Sequence, residues 1–283
     1  MTLSSCLLCN RIAVSSWFVK RAGAVDYTIV RCKSCRAAYV WPRPEANAVH
    51  DLYADENYSP SHDRQGVYWP SGQSDARRLL ASFRRLINGP VILDIGAGEG
   101  VAAAEAIRHG FTVRACEPSP QCRREFARRN GFEPESSFFD GEYARKNRHQ
   151  IDAVLLSHVL EHLRDPDQLI NDVSTVLRPQ GVMIVTVPLF GSVVTAILGR
   201  RDFFITPPEH LTYFSFAGLK GMMERHGYII ESMYTSPKVN MLRYGNLLGP
   251  ASYLVNSIAY GAFKFAELFK RSVVLNVCAR RIR

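Results

Sequence analysis

The sequence predicts an α/β protein in two parts. A small metal-binding unit over residues 1–45 is followed by a linker with leading helices over 46–89 and a doubly wound, mostly parallel sheet over 90–283. Three observations carry this. Cys6/Cys9 and Cys32/Cys35 form two Cys-x-x-Cys pairs. The apolar run Val91-Ile92-Leu93 leads into Asp94-Ile95-Gly96-Ala97-Gly98-Glu99-Gly100. Further short apolar runs, at Thr112–Cys116, Ile151–Ser157, Val182–Val187, Tyr228–Met233 and Ser272–Cys278, recur along the rest of the chain.

At 283 residues there is enough chain for one α/β domain and a small appendage, and 47% hydrophobic with 22% charged residues is the balance of an ordinary folded protein. The formal charge of +9 admits a polyanionic partner but does not choose among nucleic acid, a nucleotide-linked substrate and an anionic lipid surface. The arginine pairs Arg77/Arg78, Arg84/Arg85, Arg123/Arg124 and Arg128/Arg129 are spaced as solvated faces of amphipathic helices. The first residues, Met-Thr-Leu-Ser-Ser-Cys, have neither a basic leader nor an apolar core, and four of the seven cysteines sit in metal-type pairs. The expected setting is therefore a reducing cytoplasm.

In the first unit, a two-residue gap lets one tight turn present two thiolates to one ion, and two such turns complete a tetrahedron. Between them Trp17/Val19 and Tyr27/Ile29 alternate as strands around Ala22-Gly23-Ala24. Cys6, Cys9, Cys32 and Cys35 are thus the expected ligands of a structural Zn2+ with no open position for chemistry.

In the second unit the glycines lie at a strand-to-helix turn, since Val101 to His109 is alanine-rich and helical. That is where doubly wound sheets bind cofactors. A dinucleotide fingerprint needs glycines at the first, third and sixth places; counted from Gly96, Gly100 falls at the fifth place and Val101 at the sixth. Asp94 and Glu99 would also repel a pyrophosphate, whereas carboxylates suit a ligand carrying an ammonium and a sulfonium, as S-adenosylmethionine does. The strand Thr112-Val113-Arg114-Ala115-Cys116 ends at Glu117, placed to reach ribose hydroxyls.

From Asp94 onward these features resemble the class I S-adenosylmethionine-dependent methyltransferases. Ile151-Asp152 through Ser157-His158-Val159-Leu160-Glu161-His162 resembles the family's fourth strand and following turn, and Arg178-Pro179-Gln180-Gly181 resembles its Pro-Gly-Gly turn with Gln180 at the first glycine. The resemblance implies a Rossmann-like sheet of seven strands, with Tyr228–Met233 and Ser272–Cys278 antiparallel at one edge and a helical insertion over about 240–271 between them. It implies Asp94, Gly96, Ala97, Gly98, Glu117 and Ser157 as cofactor contacts. The knuckles, Trp41-Pro42-Arg43-Pro44 and Leu52-Tyr53 resemble a subgroup with an N-terminal zinc ribbon, whose members often methylate sugars. Asn10 and Arg36 stand where a glycine commonly follows the second cysteine.

Acceptor chemistry belongs beyond the carboxyl ends of the strands, which selects His158 and the loop Thr206-Pro207-Pro208-Glu209-His210. Ketosugar C-methyltransferases place a Tyr-x-Glu-His motif in that loop; Glu209 and His210 match it and Pro207 takes the tyrosine position. His210 is the expected base with Glu209 orienting it, His158 an acceptor or cofactor contact, and Glu161/His162 local structure. The expected activity is O- or C-methylation of a sugar, nucleotide- or lipid-linked, or a related small molecule, with RNA as the alternative acceptor. The aromatic and apolar stretch 246–270 is a lid, a dimer face or a peripheral membrane contact. Its uncharged run from Leu247 to Phe263 falls short of the roughly 18 to 20 apolar residues of a spanning helix, so no transmembrane segment is expected.

Overall fold

The computed structural model describes residues 5–45, 72–135, 138–237 and 251–282, with the backbone alone for 251–256. Leu52-Tyr53, most of the linker and the first part of the insertion lie outside the described residues.

The N-terminal hairpin forms as its alternation requires. Strand β1 (Val14–Ala22) pairs antiparallel with β2 (Val25–Cys32), and Gly23 takes φ +61° in the turn between them. A third strand, β3 (Ala38–Val40), extends this sheet. A fourth arrives from far down the chain: β8 (Thr212–Tyr213) lies antiparallel to β3, with Ala38 opposite Tyr213 and Tyr39 opposite Thr212.

The main sheet contains β4 (Val91–Ile95), β5 (Thr112–Cys116), β6 (Ile151–Ser157), β7 (Leu177–Pro188), β9 (Tyr228–Ser236) and β10 (Val274–Arg281), in the order β5-β4-β6-β7-β10-β9. The pairings β5–β4–β6–β7 are parallel, while β10 runs antiparallel to both β7 and β9. Central parallel strands are covered by helices on both faces, which is why β6 reads as an almost unbroken apolar run. The order reverses between β4 and β6, so the crevice at their carboxyl ends is the place for a ligand.

Six of the seven expected strands form among the described residues. Beyond β5, where the seventh would pair, the Glu135 amide donates to the Ala115 carbonyl at 2.9 Å and the Glu135 carboxylate pairs with Arg114. Residues 136 and 137, which would carry such a strand on, lie outside the described residues.

The helices that matter for the site are α1 (Gly72–Phe83), α2 (Val101–Arg108), α3 (Pro120–Asn130), α4 (Gly141–Lys146), α5 (Pro166–Val176), α6 (Val193–Leu198), α7 (Phe216–Arg225) and α8 (Ala251–Leu268). The last lies between β9 and β10, the interval in which an insertion is expected. It buries Phe263 and Ala266, with Phe263 packed in a cluster with Val194, Phe204 and Val273, and leaves Ile258, Phe265 and Leu268 exposed, with Phe269 exposed just past its end. Arg78 on α1 holds Glu267 on α8 through two hydrogen bonds, of 2.7 and 3.1 Å. No helix among the described residues is long and apolar enough to cross a membrane.

The hairpin and the main sheet share one apolar cluster, in which Cys6, Leu8 and Cys35 meet Phe214, Leu219, Met222 and Met223. Polar contacts pin the junction. Ser215 caps α7 by accepting the Gly218 amide at 3.0 Å and donates its own hydroxyl proton to the Cys35 carbonyl. At the other end of α7, the Arg225 guanidinium donates to the carbonyls of Leu7 and Leu8 and pairs with Asp167 at 2.8 Å. Ser215→Ala removes a cap and a buried hydrogen bond together, an expected loss of about 1–2 kcal/mol in urea denaturation. An unchanged midpoint would mean that Ser215 fastens nothing.

Candidate active site

The four cysteines converge as the hairpin closes. The Cys6 and Cys35 sulfurs are 3.7 Å apart, as are those of Cys9 and Cys32, and all four lie within 4.8 Å of one another. Four thiolates at about 2.3 Å in a tetrahedron stand about 3.8 Å apart, so the set has the size that zinc needs. Each knuckle closes alike, the Asn10 amide donating to the Cys6 carbonyl at 2.9 Å and the Arg36 amide to the Cys32 carbonyl at 3.0 Å, while the Leu8 and Cys35 amides point at the Cys6 and Cys32 sulfurs at 3.4 and 3.5 Å. Asn10 and Arg36 close the two turns at φ +58° and +64°, the left-handed conformation that explains the glycine common at those positions.

At the end of β4 the chain folds tightly. The amides of Gly96 and Ala97 both donate to the Cys116 carbonyl, at 2.9 and 3.1 Å. Gly96 has φ +65°, and a Cβ there would stand 2.8 Å from Val159 Cγ2, so the loop lies directly against the turn that follows β6. Glu117, one residue past β5, accepts the Gly98 amide at 2.7 Å and the Ser119 amide at 2.8 Å, which locks the second-strand acid onto the glycine loop.

Asp94 is 1% exposed, and its Oδ2 has no hydrogen-bond partner. Burial, and then the Glu117 charge, push its pKa up to about 7. Burial also raises Glu117, against the pull of its two amide bonds. Two buried carboxylates in mutual repulsion, one with an orphaned oxygen, make a pocket that favours a cationic ligand. These residues therefore fit the ammonium and sulfonium of S-adenosylmethionine. Glu99 lies 3.9 Å from the Arg129 guanidinium.

Past β6 the chain turns sharply. His158 has φ +57°, its amide donates to the Thr186 carbonyl at 2.8 Å, and its Nδ1 lies 3.1 Å from Glu161 Oε1. Glu161, 1% exposed, is pushed up by burial, but the His158 hydrogen bond and the charges of His162, His158 and His210 outweigh this and hold it down at about 2. His162 donates from Nδ1 to the Glu209 carbonyl at 2.9 Å; burial, and then His210, depress its pKa to about 4. His210 in turn donates from Nδ1 to the Phe204 carbonyl at 2.8 Å, and its ring packs edge-on against His162 with centroids 4.7 Å apart.

Residues 68–232, more than half of the chain, match the family described as Methyltransferase domain. The chain belongs to that family. Citrobacter koseri "Ubiquinone biosynthesis O-methyltransferase" is 27% identical over 222 residues, 70% of this chain and 87% of that protein. Streptomyces niveus "C-methyltransferase NovU" is 23% identical over 176 residues, 58% of this chain but 41% of that longer protein. Among solved structures, Burkholderia thailandensis 1,6-didemethyltoxoflavin-N1-methyltransferase, with bound S-adenosylhomocysteine, superposes with a TM-score of 0.55 at 15% identity, covering 94% of this chain and 99% of that one, a likeness of fold.

The protein is thus an S-adenosylmethionine-dependent methyltransferase, and its sheet brings Asp94, Gly96, Ala97, Gly98 and Glu117 together, with Ser157 at the carboxyl end of β6. The orienter expected for His210 is a different group. Glu209 is exposed, and no hydrogen bond among the described residues joins its carboxylate to His210; its main-chain carbonyl serves His162 instead. A buried carboxylate does orient a histidine, but the pair is Glu161 with His158. The His-x-x-Glu-His spacing of residues 158–162 carried that signal, since three residues along a single turn bring His158 and Glu161 to one side.

Ionised Asp94 favours a cationic ligand and the protonated acid does not, so affinity for S-adenosylmethionine rises with pH as Asp94 loses its proton near pH 7. By calorimetry the dissociation constant falls by up to about tenfold per pH unit through that range. The Asp94→Asn variant binds more weakly and shows a flatter profile. An identical slope in that variant would assign the titration to another group.

Proposed function

We propose that this methyltransferase moves the methyl group of S-adenosylmethionine to an oxygen or carbon of a carbohydrate, nucleotide- or lipid-linked, or a related small molecule. The observation that carries the reading is the contact of the two loops at the sheet's carboxyl end: Val159, between His158 and Glu161, packs where a Cβ of Gly96 would stand. A histidine oriented by a buried, ionised carboxylate therefore lies beside the cofactor loop.

Methyl transfer is an in-line displacement by an acceptor whose proton must leave, and the cofactor supplies an already activated methyl. His158 takes that proton, and Glu161 fixes the ring and stabilises the imidazolium that forms. His210 lines the same side, held through Phe204 and His162. The zinc ribbon over residues 1–45 frames the acceptor, because its β3 edge holds β8, two residues beyond His210. Support for an oxygen acceptor comes from the O-methyltransferase relative and for carbon from the C-methyltransferase relative. Support for sugar comes from the resemblance of the knuckles and of Glu209-His210. Arg78, Arg128 and Arg129 pair with Glu267, Glu125 and Glu99, which offsets part of the basic charge an RNA acceptor would draw on.

Purified protein given radiolabelled S-adenosylmethionine and a cell extract is expected to label small anionic metabolites or glycolipids; label lost on ribonuclease treatment would replace this reading with an RNA acceptor. With the acceptor in hand, His158→Ala lowers kcat by about 10²-fold or more while cofactor affinity holds. An unaltered kcat would move the base to His210.

Cys6, Cys9, Cys32 and Cys35 hold a structural zinc ion in this reading. It supplies no chemistry, since four thiolates fill its coordination. Stripping it with a chelator, or the Cys9→Ser substitution, is expected to lower the melting temperature by several degrees, with recovery on adding zinc to the wild type. A melting curve indifferent to chelation would dismiss the ion.

A further inference from the structure

We propose that Glu161, His162 and His210 form a second metal site, for a divalent transition-metal ion, separate from the four cysteines and adjoining the methyl-transfer site. One oxygen of Glu161 and one ring nitrogen of each histidine lie within 4.8 Å of one another. They come from two distant segments, the turn Leu160–His162 after β6 and the loop before β8. Their convergence is therefore a product of the tertiary fold and not of local spacing.

Each donor is also held from behind. His162 and His210 both direct Nδ1 at a main-chain carbonyl, those of Glu209 and Phe204. A carbonyl partner requires the proton on Nδ1, which leaves the lone pair on Nε2, the tautomer and orientation that outer-shell bonds impose on metal-binding histidines. Glu161 divides its two oxygens: Oε1 faces His158, while Oε2 is buried with no hydrogen-bond partner. An unpaired buried carboxylate oxygen is costly, and a cation seated between Oε2 and the two imidazoles removes that cost.

Two imidazoles and a carboxylate suit zinc and its first-row neighbours, and three protein ligands leave a coordination position open, unlike the filled thiolate set. That position suits an acceptor oxygen, whose proton a bound cation makes easier to remove. Glu161 would then tie the ion to His158 through its two oxygens.

The test uses the full-length protein, stripped with a chelator and reloaded with Co2+. Two ions per chain are expected by mass spectrometry. The spectrum should combine the intense sulfur-to-metal bands of the thiolate site with weaker bands from nitrogen and oxygen ligation. His210→Ala and Glu161→Gln should each lower the count to one while the thiolate bands persist. Loss of those bands marks a variant that has failed to fold, and the wild-type count and spectrum then decide. One Co2+ per chain in the wild type with thiolate bands alone overturns the site, as does a folded His210→Ala protein that still binds two. The count is read without turnover, so it stands apart from the identity of the acceptor.

Discussion

The main chain of Leu211 is the junction on which the acceptor side of the molecule depends. Its amide donates to the Glu161 carbonyl at 2.7 Å, and its carbonyl accepts the Val40 amide at 2.9 Å and the Arg43 guanidinium. One residue thus fastens the turn after β6, the loop carrying His210 and the edge of the cysteine-bearing hairpin. Arg43 adds a bond to Thr212 Oγ1 at 2.6 Å. Burial lowers its pKa to about 10, with Tyr39 and Tyr213 opposing, so it stays charged at neutral pH. Because Leu211, Val40 and Glu161 are buried, losing one of these bonds leaves its partner unsatisfied, and the three segments hold or loosen together.

Burial works in opposite senses at the two ends of the crevice. Around Asp94 and Glu117 desolvation outweighs the amide bonds and the Arg123 charge that oppose it, so the acids resist ionisation until a positive ligand arrives. Around Glu161 the hydrogen bond from His158 leads the contributions that overcome the same desolvation and hold the carboxylate low. One sheet end therefore offers a site that gains from a sulfonium and, in the turn after the neighbouring strand, a carboxylate placed to steady a protonated histidine. Their separation by chain position, Asp94 after β4 and Glu161 after β6, follows from the strand order reversing between them.

Much of this was legible in the sequence where a single local rule decides the outcome. Val91–Ile95 and Thr112–Cys116 are apolar runs with turn residues at their ends, and they form strands at those bounds. The cysteine spacing implied the tetrahedral set because each knuckle is a local turn. What escaped depends on contacts between distant segments. Thr212–Tyr213 is too short to register as a strand and becomes one only because β3 offers an edge. Glu161 and His162 looked like local structure, since nothing near them in the chain announces His210. Glu209 is adjacent to His210 in the chain, yet the tight loop from Phe204 to His210 gives that imidazole a carbonyl as its partner. Where the seventh strand is expected, beyond β5, Glu135 makes one amide bond to Ala115 and the next two residues lie outside the described residues.

The late arrival of β8 also bears on how the protein is made. A ribosome releases the chain from its N-terminal side, so the hairpin emerges before the large sheet and can gather its thiolates early. Its β3 edge then stays open, without Tyr213 and Thr212 to cover it, until most of the large sheet has been synthesised. During that interval the nascent chain carries an unpaired strand edge of the kind that recruits other chains, and residues 212 and 213 act as the stopper that ends the exposure.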